Sequence, residues 1–231
     1  MRRPLFLCLL AALTAVPALR AQSVGTFSFL RLDAAPRSAA LAGTLDAIPT
    51  DDPAVVFANP ALITDRTAGG LGLTYTNHLS DVKAGTLAYG RSVLGFDAVA
   101  GLRYLSFGEM TEADETGQVT GSFGASSLAL TVGASRAQGS RLRVGGALSL
   151  VTSGVADARA TALAADAGIA LLLPDRLTVS ATVRNAGVTL ASLGTTKDEL
   201  PLDVRVGVSK RLAHLPLQLS VTGYDLHRPG E

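Results

Sequence analysis

From about Gly70 onward the chain places apolar residues at every second position, in one long run after another. Leu177, Val179, Ala181 and Val183 fall on one face of an extended chain, and Thr178, Ser180 and Thr182 fall on the other. The same alternation sets Val204, Val206 and Val208 against Arg205, Gly207 and Ser209, and Leu128, Leu130 and Val132 against Ala129, Thr131 and Gly133. A period of two is the signature of a strand, because successive side chains point to opposite faces. It predicts strands over 70–78, 84–91, 96–107, 124–136, 141–152, 162–173, 176–185, 203–211 and 216–225. Most approach the roughly nine to eleven residues that a tilted strand needs to cross a bilayer. Strands of water-soluble proteins are nearer about five or six.

The connections are uneven in length. Ser92–Gly95, Ala137–Ser140, Pro174-Asp175 and Leu212–Leu215 read as tight turns, and Gly108–Phe123, Ser153–Thr161 and Ala186–Leu202 read as long loops. They alternate along the chain, as expected of a barrel with turns at one end and loops at the other. Leu79–Lys83 is short for its side. A mean hydropathy of +0.34 with 24 Gly suits a sheet whose outer face meets lipid. A soluble sandwich would put more Lys and Glu on its polar face, which here is small and polar with occasional Arg. The low aromatic content, 5% with no Trp, is sparse for the aromatic girdles of such barrels. A net charge of +1 with 17% charged residues leaves no basic face for nucleic acid.

The N-terminal part is built differently. Arg2 and Arg3 precede an apolar run from Leu5 to Val16, and small residues follow up to Ala21. This pattern predicts a secretory signal peptide over residues 1–21, cut after Ala21 or alternatively after Ala18. The single cysteine, Cys8, falls inside it, so the processed chain is expected to have no disulfide. Residues 22–69 form the second unit, extended at first and then rich in Ala, Pro and Asp. Asp33 is the expected cap of a short helix with Pro36 in its first turn, running to Gly43. Asp51-Asp52 with Pro53 predicts a second cap and helix through Ala58, ended by Asn59-Pro60. Residues 70–231 form the strand region. The expected fold class is therefore all-β: an antiparallel transmembrane β-barrel with an N-terminal plug of short helices.

Little in the chain suggests catalysis. Ser80-Asp81-Val82-Lys83 has the spacing of an S-x-x-K motif, but a strand-like run follows where the chemistry needs a helix. His78, His214 and His227 lack metal-ligand spacing. Glu109, Glu112, Asp114 and Glu115 crowd the longest predicted loop. A calcium site would need their oxygens to converge around a tight turn, and a solvated loop is the simpler reading. No catalytic, metal or cofactor site is expected.

Several ordered segments resemble the PorQ family of the type IX secretion system and, more distantly, the PorV and FadL-like outer-membrane barrels. They are Gly25-Thr26-Phe27-Ser28-Phe29-Leu30, Pro36 through Gly43, Asp51-Asp52-Pro53, and Asn59-Pro60-Ala61-Leu62. Tyr75-Thr76-Asn77, Phe107-Gly108 to Gly121-Ser122-Phe123, Asn185-Ala186-Gly187, Leu200 to Asp203 and Gly207 to Lys210 continue the series. The resemblance implies an outer-membrane barrel with residues 22–69 packed in its lumen, where Asp51, Asp52, Pro53, Asn59, Pro60 and Ala61 are plug elements. It also implies a non-enzymatic anchor for the surface complex that releases and attaches client proteins. Its partners would be membrane lipids and other outer-membrane and cell-surface proteins of that system, met by the loop Gly108–Phe123, with Glu109, Glu112, Asp114 and Glu115, and by the loop Ala186–Leu202. A FadL-like transporter of small hydrophobic molecules is the alternative. FadL-like barrels have about fourteen strands, and bacterial single-chain barrels have even numbers. With about nine legible strands, the expectation is an incomplete barrel, from truncation or, less favoured, closure by another chain.

Overall fold

The computed structural model describes residues 25–78 and 81–228. The signal-peptide reading, with Cys8, lies outside the described residues, as does Ser80. The described residues form one sheet of nine strands in the order of the sequence, each antiparallel to the next. They are β1 (Leu71–Asn77), β2 (Lys83–Val93), β3 (Phe96–Ala113), β4 (Val119–Gln138), β5 (Leu142–Val155), β6 (Ala158–Leu173), β7 (Leu177–Ala191), β8 (Asp203–Arg211) and β9 (Gln218–Gly223). β1 and β9 do not pair, so the sheet is open, as in an incomplete barrel.

All nine predicted strands are present, but the long loops are not loops. β3 and β4 run through most of 108–123 as a paired hairpin with register shifts between Ser106 and Glu109 and between Glu112 and Ala113. Gly108 adopts a φ of +75°, which lets the strand bulge and then continue. Beyond the bulge, Thr111, Val119, Thr120 and Phe123 suit a strand. Predicted loop 153–161 is likewise strand on both sides of Ala156-Asp157, and β7 extends to Ala191 before an irregular 192–202.

The two faces of the sheet are inverted relative to a soluble protein. One carries Leu73, Leu87, Leu130, Val132, Leu148, Leu150, Leu163, Ile169, Val206, Val208 and Val221, all exposed. The other carries Ala88, Ala129, Thr131, Ser149, Ser153, Ala160, Ala162, Ala164, Ala170, Ser180 and Ser209, all buried. Residues 25–70 are what bury that small-residue face. Val55, Val56, Phe57, Leu62 and Ile63 pack on Ala88, Val99, Ala147 and Ala170. Phe27, Phe29 and Leu30 pack on Leu105, Ala129, Val151, Ala160, Ala162 and Ala164. Most of the large core residues come from the N-terminal segment and most of the small ones from the sheet.

That segment is held in short turns. Pro36–Ala40 is a single α-helical turn capped at Ala35 with no side-chain hydrogen bond. Asp33 is not the cap. It lies too far upstream, and its Oδ1 accepts from Ser38 Oγ at 2.6 Å instead. Asp52 does cap, accepting from Ala54 N at 2.8 Å, but the turn it opens, Pro53–Phe57, is 3-10. Asn59 opens a further 3-10 turn, Pro60–Leu62, in addition to closing the one before.

These turns approach the sheet backbone closely. A Cβ on Gly145 would stand 2.5 Å from the Pro60 carbonyl carbon, and one on Gly101 would stand 2.5 Å from the Phe57 ring. Gly146, the next residue along, points the other way and would meet only ordinary contacts. Gly145→Val is expected to destabilise the fold by about 1–3 kcal/mol through overpacking, while Gly146→Ala stays near neutral. Thermal or denaturant unfolding of the two variants checks this, and equal midpoints would contradict the packing described.

Candidate functional site: the filled lumen and its polar network

An irregular segment pressed against a sheet has backbone carbonyls with no ladder partner, and leaving them buried and unbonded is costly. The inward-facing side chains meet them one by one. Arg103 Nη1 donates to Leu30 O at 3.0 Å, and its guanidinium lies 4.7 Å over the Phe57 ring. Ser180 Oγ donates to Asp46 O and Ser209 Oγ to Ala47 O, each at 2.6 Å. Arg143 Nη2 reaches Ile63 O at 2.6 Å, and Ser135 Oγ also donates there. Arg205 Nη1 donates to Gly43 O at 3.1 Å. The Ser, Thr and Arg of the inward strand faces thus serve as the hydrogen-bond partners of the segment they enclose.

Carboxylates hold two of these cations, Arg143 and Arg205, in place, and a third pair joins Arg31 to the C-terminal side of the sheet. Arg143 pairs with Asp97 at 2.6 Å. Arg205 pairs with Asp203 at 2.6 Å and with Asp46 at 3.3 Å. Arg31 makes a two-pronged contact with Asp225, at 2.9 and 3.0 Å, across 194 residues of sequence. Asp166 Oδ1 accepts from Asn185 N at 2.6 Å, and Asn185 Nδ2 donates to Pro201 O at 3.1 Å. Removing one member of the buried Arg205–Asp203 pair strands the other charge, at a cost of about 3–5 kcal/mol.

The residues singled out from sequence divide in two. Asn59 is fully buried, and it links two turns of the segment: Oδ1 accepts from Ala61 N at 3.0 Å and Nδ2 donates to Asp46 O at 2.8 Å. Pro53, Pro60 and Ala61 lie in the packed core, and Asp52 caps. Asp51 forms an exposed pair with Arg66, a geometry that contributes little.

The acidic group sits elsewhere, on the projecting hairpin: Glu109 and Glu112 on β3, Asp114 and Glu115 at its tip. Asp114 Oδ1 is occupied by Thr116 Oγ1, Thr116 N and Gln118 N at 2.6, 2.9 and 2.9 Å. These bonds, the Thr116 hydroxyl first, hold its carboxyl below the usual carboxylate range. The tip turn therefore keeps this support above the ordinary carboxylate pKa and loses it only as pH falls through the lowered value. Among the described residues no group of His, Cys, Asp and Glu stands together to hold a metal.

Sequence reasoning missed Arg103, Arg184, Arg205, Asp46, Asp166 and Asp203. The available signal was a single charge at an inward position of an otherwise uncharged run. The inward face is not fully filled, however. Arg184, Arg205 and Arg31 border a cavity of about 260 Å³ between the 31–58 region and the β7–β9 end of the sheet.

No family model matches the chain. A search of curated proteins gives no match either.

The network predicts that Asn59→Ala, which loses both hydrogen bonds, leaves Ala61 N without this acceptor and leaves Asp46 O with Ser180 Oγ alone, costs about 1–3 kcal/mol. Asp51→Ala is expected to stay within about 0.5 kcal/mol. Unfolding midpoints of the two variants make the comparison.

Proposed function

We propose that this chain is a plugged β-sheet protein of the outer-membrane barrel type, and that it serves as a non-enzymatic anchor for partners at the cell surface. One observation carries the reading. The sheet turns its large apolar side chains outward, with Leu73, Leu148 and Val221 exposed by 77, 70 and 76%, and its small polar ones inward. In water such a face is an aggregation hazard far beyond the few hundred Å² that monomers expose. In lipid it is the required arrangement. No helix among the described residues is long and apolar enough to cross a membrane, and strands are the other means of crossing.

The anchoring role follows from how the lumen is used. Residues 25–70 are pinned to the sheet by core packing, by hydrogen bonds from several strands, and by the Arg205–Asp46 and Arg31–Asp225 ion pairs, so the inside is mostly filled. The parts exposed to meet a partner are the projecting β3–β4 hairpin, with Glu109, Glu112, Asp114 and Glu115, and the tip 194–197 of the segment 192–202. The PorQ-like motifs favour the type IX secretion system as the setting, with other outer-membrane and cell-surface components as partners. The cavity beside Arg184 favours a second reading, transport of small molecules, but the close packing of Pro60 and Phe57 on the sheet works against a continuous path.

Two experiments test this. In lipid vesicles, Leu148→Arg in mid-β5 is expected to destabilise the fold by about 2–4 kcal/mol. Recovery of the native protein without detergent, with this variant unchanged in stability, would remove the membrane reading. Separately, tagged protein solubilised from native membranes is expected to bring secretion-system surface components in near-stoichiometric yield. A protein that emerges alone would move the assignment to transport.

A further inference from the structure

Arg184, on β7, is only 7% exposed and borders the 260 Å³ cavity. The other inward arginines are all engaged: Arg103 on Leu30 O, Arg143 on Asp97 and Ile63 O, Arg205 on Asp203 and Asp46, and Arg31 on Asp225. The Arg184 guanidinium makes no hydrogen bond among the described residues, although it has five N–H donors to satisfy. The nearby carboxylates are in electrostatic reach, but most of their oxygens are taken. Asp203 is used by Arg205 and Asp225 N, and Asp166 Oδ1 by Asn185 N. Asp46 Oδ1 is unbonded but sealed, and Asp46 does not line the cavity.

The cavity approaches the lower end of ligand pockets, about 300 Å³. Its wall is mixed. Arg31 and Arg205 add positive charge, Asp33 and Asp225 offset part of it, and Leu45 and Phe57 form an apolar side. A planar fork of unmet donors facing an open space suits a planar or tetrahedral oxyanion, which accepts several of those bonds at once.

We infer that the cavity is a binding site for a small oxyanion, a phosphate or carboxylate group, received by the Arg184 guanidinium. The inference stands on the lumen alone and is independent of the anchoring role, so either fails without the other. The test is calorimetric titration of the folded, detergent-solubilised chain with inorganic phosphate, acetate and hexanoate, with sodium chloride as the ionic-strength control. Saturable binding of phosphate or of a carboxylate is expected. Tighter binding of hexanoate than acetate would identify an organic anion that also uses the Leu45 and Phe57 wall, whereas phosphate alone would identify the inorganic or phosphoryl group. Arg184→Met is expected to weaken binding about tenfold or more, since a charged hydrogen bond is lost. Arg184→Lys keeps the charge without the fork and is expected to fall between, and it decides the matter if the Met variant does not fold. Arg91→Met, exposed on β2, leaves binding unchanged. The absence of saturable binding by the native chain, or binding equal to native in a folded Arg184 variant, would overturn the inference.

Discussion

The close approach of residues 25–70 to one face of the sheet sets most of the other features. A chain in tight turns brings its backbone, as well as its side chains, against the strands. The receiving face is then made largely of Gly, Ala, Ser and Thr, and at Gly101, Gly133 and Gly145 any side chain would meet Phe57, Val56 or Pro60. Once the inward positions are committed to small residues, the apolar bulk of the strands has only the outward positions left. The exposed Leu and Val face and the packed interior are thus two consequences of one contact. The core is large apolar groups from the N-terminal segment set among small groups from the sheet.

The same contact explains why a protein with an apolar exterior carries so much charge inside. Turns leave carbonyls at Leu30, Gly43, Asp46, Ala47 and Ile63 facing the sheet. Each is met by a serine or arginine on an inward strand position. Two of these arginines are in turn neutralised, Arg143 by Asp97 and Arg205 by Asp203 and Asp46. The resulting chain of dependence runs from segment backbone to cation to carboxylate. Among the described residues, Arg103 has no direct carboxylate pair, and Arg184 has neither a carboxylate pair nor a segment carbonyl on its guanidinium.

The alternation made the strands legible, since a period of two survives any register. It did not reveal how far they extend. Gly108, Gly117 and the acids between them read as a loop, yet one glycine bulge carries β3 onward and Asp114 closes the turn with its own side chain. The caps divided on distance. Asp52 sits directly before its turn and caps it, whereas Asp33 is two residues early and binds Ser38. The polar network was the least legible part. Arg31 and Asp225 meet only because β9 and the first turn of the segment share one end of the lumen, and no local pattern encodes that meeting.

The inverted packing also reverses the usual map of mutational tolerance. In most proteins the positions that resist change are the large buried side chains of the regular elements, and small surface residues drift. Along these strands, Leu, Val and Ile on the outward face are interchangeable so long as they stay apolar. The fixed points are residues with almost no side chain, such as Gly101, Gly133 and Gly145, where one added methyl group would collide with a neighbour. A lineage of such chains would therefore keep its glycines and alanines in register while its hydrophobic residues exchange freely. Its history would be written mainly in its smallest residues.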